Sequence, residues 1–275
     1  IKWGGCLSSL FNVKNGVRQG GILSPYLFNV YMDDLSVDLN ACKAGCMFDD
    51  KYVNHLFYAD DAVLLAPSAD GLQQLLCKSE EYANNHDITF NVKKTVCMCI
   101  RPKQLYRDNI PDVCINNHKL KYVDSYKYLG NLYTDIGSDD LDIAYKTRNL
   151  YCRGNSVIRN FSFCSNDVKV ALFKAYCTSI YCCSLWTSYK KKSLNSINVA
   201  YNNIFRNLFG LKRDCSITLN MPLFSINHFK VLHRLYINSL IKRLTECENP
   251  IVYGIMQSNW FTFCSMFKHW CELLY

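Results

Sequence analysis

Two adjacent carboxylates, Asp60 and Asp61, lie between two apolar runs in the segment HLFYADDAVLLA at 55–66. The pattern strand, Asp-Asp, strand predicts a hairpin with the pair as its two-residue loop, because Asp tolerates the positive φ that tight turns require. Burying two like charges side by side favours a hard divalent cation that compensates them, and such a site suits phosphoryl transfer. A tight turn without metal explains the same residues, so the pair alone leaves both interpretations open.

The neighbours of this pair distinguish it from the other Asp-Asp pairs of the chain. Those pairs lie among polar or charged residues, where we expect them to be solvated: Asp33-Asp34, Asp49-Asp50 and Asp139-Asp140. The flanks of the embedded pair are apolar and should be buried, which would hold the hairpin tip rigid. These flanking residues are Val53, Leu56, Phe57, Tyr58, Val63, Leu64 and Leu65.

The first half of the chain mixes helical and extended periods. Ser24 as N-cap and Pro25 in the first turn predict a helix over about 25–40, and spaced leucines predict another over about 70–86. Residues 7–21 predict extended structure with turns at Asn15-Gly16 and Gly20-Gly21, and residues 52–66 predict strand, turn, strand. A strand over 88–100 and two short strands within 112–133 should follow.

After about residue 140 the strand signals fade and helical stripes replace them. One stripe contains Phe173, Tyr176, Ile180 and Cys183. Another runs from Leu194 to Leu208 and ends at Gly210. The sequence therefore predicts an α+β fold with a domain at 1–137 and a mostly helical one at 138–275.

Charge is distributed unevenly along the chain. The net charge of +8 divides into 14 Lys and Arg against 17 Asp and Glu over 1–140, and 17 against 6 over 141–275. A basic half suits the phosphate backbone of a nucleic acid, although a basic, soluble helical surface would show the same excess. Trp186 and Tyr189 precede Lys190, Lys191 and Lys192, which suits stacked bases and bound phosphates; lysines that end a helix and favour its dipole are the alternative.

Composition excludes several other classes of protein. No run approaches the roughly 18 apolar residues of a membrane helix, and the start lacks the features of a signal peptide, so we expect an intracellular protein, nuclear or cytoplasmic, that is not secreted. The sixteen cysteines are scattered through apolar segments without zinc spacing, which favours reduced thiols. The chain does not begin with Met, which suggests a fragment or a processed piece.

Four ordered motifs resemble the palm of a reverse transcriptase: GVRQGGILSPYLFNVYMDDL at 16–35, FYADD at 57–61, NVKKT at 91–95 and YKYLGNLY at 126–133. The resemblance is to retrotransposons without long terminal repeats, the LINE-like group. VAYNNIFRNLFGL at 199–211 looks like the helical region that follows the thumb in that group. The resemblance implies RNA-directed DNA synthesis from deoxynucleoside triphosphates on an RNA template and a DNA primer, by an α+β palm followed by a helical thumb.

The resemblance also implies roles for individual residues. It assigns metal binding and catalysis to Asp60 and Asp61, and assistance to the pyrophosphate leaving group to Lys94, with Lys93 as a rival for that role. It implies that Arg18, Gln19 and Gly20 contact nucleotide and template, and that Tyr58 lies beside the primer end. The residues that it implies grip the primer are Tyr128, Leu129 and Gly130.

One part of the implied metal site has no counterpart in this sequence. The family uses a third aspartate upstream of the Arg18-Gln19-Gly20 segment, and the chain has no acidic residue before Asp33. We therefore expect an incomplete Mg²⁺ (or Mn²⁺) site and little or no DNA synthesis by this polypeptide alone. A non-catalytic remnant that binds nucleic acid through its basic half is the alternative function.

Overall fold

The computed structural model describes residues 1–12, 16–48, 51–101 and 110–274. It divides into two compact units, Ile1–Cys97 with Arg107–Lys121 and Met98–Tyr106 with Tyr122–Tyr275. Mixed helices and small antiparallel sheets confirm the α+β content in general terms. The predicted division at 137/138, into palm and thumb, stays a prediction.

The first unit contains two long helices and short strands. In chain order its elements are β1 (Lys2–Trp3), β2 (Cys6–Leu7), α1 (Ser24–Ala41), β3 (Cys46–Phe48), β4 (Lys51–Val53), β5 (His55–Tyr58), β6 (Asp61–Leu64), α2 (Ala69–Asn85), β7 (Val96–Cys97), β8 (Cys114–Ile115) and β9 (His118–Lys119). Both predicted helices are confirmed as α1 and α2. The predicted N-cap is different, because helix α1 already includes Ser24, whose hydroxyl donates to the carbonyl of Arg18 at 2.6 Å.

The predicted strand over 88–100 is wrong except at β7. Residues 92–94 form a turn, and only Val96–Cys97 are extended in β7. The carbonyl of Asn91 accepts hydrogen bonds from the amides of Lys94 and Thr95, both at 3.0 Å, and the Thr95 hydroxyl donates to it as well. Local bonds of this kind compete with strand pairing, which the apolar alternation did not reveal.

The second unit consists of one hairpin and a helical body. After β10 (Lys121–Tyr122), which lies at the boundary between the units, it contains β11 (Ser125–Tyr128), β12 (Asn131–Thr134), α3 (Asp140–Phe161), α4 (Asn166–Phe173), α5 (Lys191–Phe209), α6 (Ile217–Leu223), α7 (Phe229–Thr245), α8 (Pro250–Gln257), α9 (Asn259–Phe263) and α10 (Ser265–Leu274). The predicted stripe that ends at Gly210 is confirmed, since Gly210 adopts φ 66° at the end of α5 and closes the helix with a left-handed residue.

The other predicted stripe is not one continuous helix. Helix α4 runs into a π-helical turn at Lys174–Thr178, a 3₁₀ turn follows at Cys183–Leu185, and Tyr176 is exposed. The carbonyls released where the helix ends bind distant donors: Tyr236 donates to Thr178 at 2.9 Å, and Arg153 donates to Ser179 at 3.1 Å. Tertiary hydrogen bonds of this kind are not visible in a local sequence pattern.

The core of the second unit lies between α3, α5 and their neighbours. Its largest buried side chains include Trp186, Tyr201, Phe173, Phe205 and Phe229. All sixteen cysteines are free thiols, and burial raises the pKa of Cys97 and Cys177 to about 11 and that of Cys183 to about 12. Among the described residues, no helix combines the length and apolar character that a membrane span needs.

Candidate active site

The Asp60-Asp61 hairpin forms as predicted, but its loop is shifted by one residue. Strands β5 and β6 pair in the register Tyr58↔Asp61 and Phe57↔Ala62, so the two loop residues are Ala59 and Asp60. Ala59, with φ 52°, adopts the left-handed conformation that was expected of an aspartate. Asp61 is therefore the first residue of β6, and Asp60 lies at the turn itself.

The expected burial of the pair is wrong. Asp60 and Asp61 are both exposed, Leu56 is 47% exposed and Tyr58 is 63% exposed. Leu56, Tyr58 and Asp61 share one face of the hairpin, because alternate residues and cross-strand partners point the same way. The carboxylates therefore lie on an open face, where water solvates them and a divalent ion can reach them.

The opposite face of the hairpin is packed. Phe57 and Leu64 contact a cluster of buried side chains from α1, α2 and the intervening segment: Leu35, Leu39, Ala44, Leu75 and Tyr82. This packing fixes one face of the two strands while the tip stays accessible. The predicted burial of the flanks is thus confirmed in part, and the rigidity of the tip stays a prediction.

Polar side chains clamp the base of the same hairpin. Asn54, which is 1% exposed, donates to the carbonyls of Leu39 (2.6 Å) and Ala44 (3.0 Å). Its amide oxygen must then accept from Nδ1 of His55 at 2.7 Å, which leaves Nε2 of His55 to accept from the Ser36 hydroxyl at 2.7 Å. Burial lowers the pKa of His55 and thereby favours the neutral ring that this hydrogen-bond pattern requires.

This clamp was not predicted from the sequence, although the polar Asn54-His55 pair directly before the apolar residues of β5 was a visible signal. Gly45 provides a further constraint on it. Gly45 adopts φ 127°, and a Cβ built there would lie 2.3 Å from Cβ of Asn54. The close approach of the two backbones requires glycine.

The Arg18-Gln19-Gly20 segment is exposed and leads into α1. The carbonyl of Arg18 accepts from the Gly21 amide at 3.1 Å, and Gly20 adopts φ 80°. The predicted turn at Asn15 lies outside the described residues. Lys93 and Lys94 are exposed in the turn after Asn91 and do not lie in the strand that was predicted there. No hydrogen bond within the described residues joins these segments to Asp60 or Asp61.

The hairpin that carries Tyr128, Leu129 and Gly130 belongs to the second unit. Strands β11 and β12 pair with Tyr128 opposite Asn131, so Leu129 and Gly130 form a two-residue loop with φ 45° and 81°. Positive φ at both loop residues is the hallmark of a type I′ turn, whose twist matches that of the strands. Leu129 is 37% exposed at the tip.

Lys190, Lys191 and Lys192 are exposed, but they do not end a helix. Helix α5 begins at Lys191, with Lys190 as its N-cap. The expectation that they suit a helix dipole is therefore wrong, because the amino end of a helix is its positive end. Base stacking by Trp186 is also excluded, since its side chain is 2% exposed and its indole NH donates to Asp142 at 2.8 Å.

A different acidic pair stabilises this end of α5. Asp139 accepts hydrogen bonds from the amides of Thr187 and Ser188, both at 2.7 Å, and burial raises its pKa. Asp140 accepts from the amide of Lys190 at 2.9 Å. Partial burial opposes ionisation of Asp140, but hydrogen bonds from Ser193 and from the Lys190 amide outweigh it and lower the pKa. This pair is not solvated as expected, whereas Asp33-Asp34 is exposed and Asp49-Asp50 lies outside the described residues.

Comparison with known proteins agrees with the motif resemblance. Residues 3–132 match the family model of the reverse transcriptase (RNA-dependent DNA polymerase). The Pol polyprotein of the type-1 retrotransposable element R2 of Nasonia vitripennis is 31% identical over 129 residues, which cover 44% of this chain and 12% of that protein.

Two Drosophila relatives extend the comparison. The RNA-directed DNA polymerase of the mobile element jockey of Drosophila funebris is 27% identical over 236 residues, 79% of this chain and 25% of that protein. The Pol polyprotein of the type-2 element R2DM of Drosophila melanogaster is 34% identical over 146 residues, which cover 48% of this chain and 13% of that protein. The chain thus spans a quarter or less of each of these relatives. Residues 3–132, just under half of the chain, are thus similar to the reverse transcriptase family, and these three relatives are proteins of retrotransposable or mobile elements.

Proposed function

We propose that this chain contributes part of the palm and the thumb to an enzyme that carries out template-directed nucleotidyl transfer, the synthesis of DNA on RNA. The observation that carries the proposal is the Asp60-Asp61 hairpin. Its two carboxylates are exposed at a tip whose opposite face is packed, and they lie within the residues that match the family. The partners would be an RNA template, a DNA primer and deoxynucleoside triphosphates.

The donor set at the hairpin suits Mg²⁺ in part. Magnesium binds oxygen ligands, often one or two carboxylates together with substrate phosphates rather than an all-protein cage. Asp60 and Asp61 supply two such carboxylates, and the described residues contain no group of three or more His, Cys, Asp or Glu arranged to hold a metal. Bound divalent ions would activate the attacking hydroxyl and stabilise the leaving oxygen.

The remaining residues have supporting roles in this proposal. Tyr58 shares the exposed face with Asp61, where its ring would lie against the primer end. Lys94, or Lys93 beside it, would assist departure of pyrophosphate, and Arg18 to Gly20 would contact nucleotide and template. Tyr128, Leu129 and Gly130 would grip the primer.

Two carboxylates leave a two-ion site short of protein ligands, so we propose that the 275-residue polypeptide alone makes little or no DNA. Primer extension on RNA and DNA templates, with Mg²⁺ or Mn²⁺, tests this. Robust extension that Asp60→Ala abolishes would support the site and contradict the inactivity. Robust extension that persists in both Asp60→Ala and Asp61→Ala would refute the site.

A second candidate function is binding of nucleic acid without catalysis. The exposed lysines Lys190 to Lys192 at the amino end of α5 favour it, because exposed cations beside a positive helix end suit phosphate. Salt-dependent binding of a primer–template duplex, with no extension under any metal and no role for Asp60, would favour this function. Binding that does not respond to salt would exclude it.

A further inference from the structure

Two charged side chains of α3 hold the backbone of the β11–β12 hairpin. Lys146 donates from Nζ to the carbonyl of Gly130 at 2.7 Å and to Oδ1 of Asn131 at 3.1 Å. Asp142, one helical turn earlier, accepts from the amide of Leu132 at 3.0 Å through Oδ1. The helix therefore binds one loop carbonyl and one strand amide of the same hairpin.

These two side chains are buried and paired. The side chains of Lys146 and Asp142 are 8% and 4% exposed, and Nζ of Lys146 lies 3.9 Å from Oδ1 of Asp142. The second oxygen of Asp142 accepts from the Trp186 indole at 2.8 Å, and Nζ of Lys146 lies 5.2 Å from the ring centre of Tyr181. A buried charge persists only where partners replace water, and here the hairpin supplies most of those partners.

The hairpin tip depends on these bonds for its conformation. Leu129 adopts φ 45°, which is unfavourable for a residue with a Cβ and persists only where the surroundings enforce it. The carbonyl of the next residue, Gly130, receives the Lys146 ammonium, and the ring of Tyr181 lies 3.4 Å from the position of a Cβ at Gly130. The ammonium thus holds the backbone of the tip, and the ring lies close beside it.

We infer that Lys146 and Asp142 are positioning residues that hold the Tyr128-Leu129-Gly130 tip in the conformation that receives the end of the primer strand. The inference rests on the proposed function for the primer, whereas the anchoring of the tip can be measured without nucleic acid. Neither residue contacts the primer in this account, since both are buried behind the hairpin.

Lys146→Met removes the anchor while keeping the aliphatic volume. Helix α3 should remain folded, because Asp142 keeps its bonds to Leu132 and Trp186 and lies in the first turn, where the helix dipole favours a carboxylate. Arg148→Met on the same helix is the matched control, since it removes one exposed positive charge. Asn131→Ala, which removes one acceptor of Lys146 and leaves no buried charge unpaired, is a second and milder variant.

Two measurements on the 275-residue chain test the inference. The first is amide hydrogen exchange across residues 129–132 without nucleic acid. The second uses a DNA primer with a photoreactive 3′ nucleotide, annealed to an RNA template, and measures the fraction of crosslinks at residues 128–130. If only about one molecule in five keeps the tip ordered in Lys146→Met, exchange should accelerate and the tip crosslink should fall about fivefold, because apparent affinity scales with the competent fraction.

Arg148→Met should leave both readouts unchanged apart from a small loss in total binding, and Asn131→Ala should change them in the same direction as Lys146→Met but less. Unchanged amide exchange at residues 129–132 in a folded Lys146→Met protein would show that Lys146 does not anchor the tip, independently of the proposed function. Faster exchange with an unchanged crosslink fraction would overturn the positioning role. If the unmodified chain does not crosslink at the tip at all, the proposed primer contact itself is wrong.

Discussion

The contact between helices α3 and α5 predicts that adding one methyl group has opposite effects in two backgrounds. Gly154 of α3 is buried against Ile204 of α5, and a Cβ at Gly154 would lie 2.6, 2.6 and 2.7 Å from Cδ1, Cγ2 and Cγ1 of Ile204. Ordinary carbon–carbon contacts lie at about 3.5–4.0 Å, so the methyl group of Gly154→Ala has to displace the neighbour by about 1 Å.

The Ile204 side chain cannot readily move away from an added methyl group. A β-branched side chain in a helix keeps essentially one χ1 rotamer, and Ile204 is 1% exposed within the core. Overpacking of this kind costs about 1–3 kcal/mol, and three contacts below 3 Å favour the upper end. Replacing glycine within a helix recovers about 1 kcal/mol, so Gly154→Ala should destabilise the protein by about 2 kcal/mol.

In the Ile204→Ala background, Gly154→Ala should have the opposite effect on stability. Ile204→Ala alone should cost about 2–5 kcal/mol, because it leaves a cavity. In that background the added methyl group occupies the vacated space, and Gly154→Ala should stabilise the protein by about 1 kcal/mol through helix propensity alone. The coupling energy between the two sites is then about 3 kcal/mol, which a double-mutant cycle resolves.

Urea unfolding followed by circular dichroism at about 222 nm measures these differences, because the second unit holds most of the helix. Asn155→Ala, at an exposed position next to Gly154, is the control and should stabilise slightly. A stabilising Gly154→Ala in the unmodified background, or an equal effect in both backgrounds, would refute the reasoning.

Three further predictions concern the base of the hairpin, acid stability and salt. Asn54→Leu should destabilise the protein by about 2–4 kcal/mol, because it leaves the carbonyls of Leu39 and Ala44 without their buried donor. Urea unfolding measures this loss, and a cost below about 0.5 kcal/mol would contradict the proposed role of Asn54 at the base of the hairpin. Burial lowers the pKa of His233, so the contribution of His233 to stability is fully present above its ordinary pKa of about 6.5 and is lost as the pH falls below that value. The free energy of unfolding should therefore be lower at about pH 5 than at about pH 7.5, and His233→Gln should reduce this difference. An unchanged difference would exclude His233 as a cause. Replacing Lys190, Lys191 and Lys192 by Gln should reduce the slope of log K against log salt for duplex binding by about 2–3, whereas an unchanged slope would show that these lysines do not contact phosphate.

The parts of the fold that the sequence predicted well depend on local rules. Helices α1 and α2 follow from apolar spacing and from Pro25, and α5 ends at Gly210 because glycine tolerates the left-handed residue found there. The Asp60-Asp61 hairpin was predicted from two flanking strands, since a turn signal between apolar runs is also local.

The predictions from the sequence fail where groups that are distant along the chain determine the conformation or the environment of a residue. Asp139 and Asp140 looked solvated among their sequence neighbours, yet they bind amides from 187 to 190, almost fifty residues later. Trp186 looked like a surface aromatic beside lysines, and its bond to Asp142 becomes apparent only once α3 packs beside it. The exposure of Asp60 and Asp61 was likewise not readable from apolar flanks, because only one face of the hairpin meets the core.

Manganese binding at the hairpin tip tests the central claim most directly. Mn²⁺ broadens the NMR signals of nearby amides, and we predict selective broadening at Ala59, Asp60 and Asp61 when the chain binds a primer–template and the complementary deoxynucleoside triphosphate. Replacing both aspartates of the tip by Asn should abolish that broadening, whereas the same change at the exposed pair Asp33-Asp34 should leave it intact. Broadening that is absent from the tip, or that survives without its two carboxylates, would contradict a metal-binding role for this hairpin.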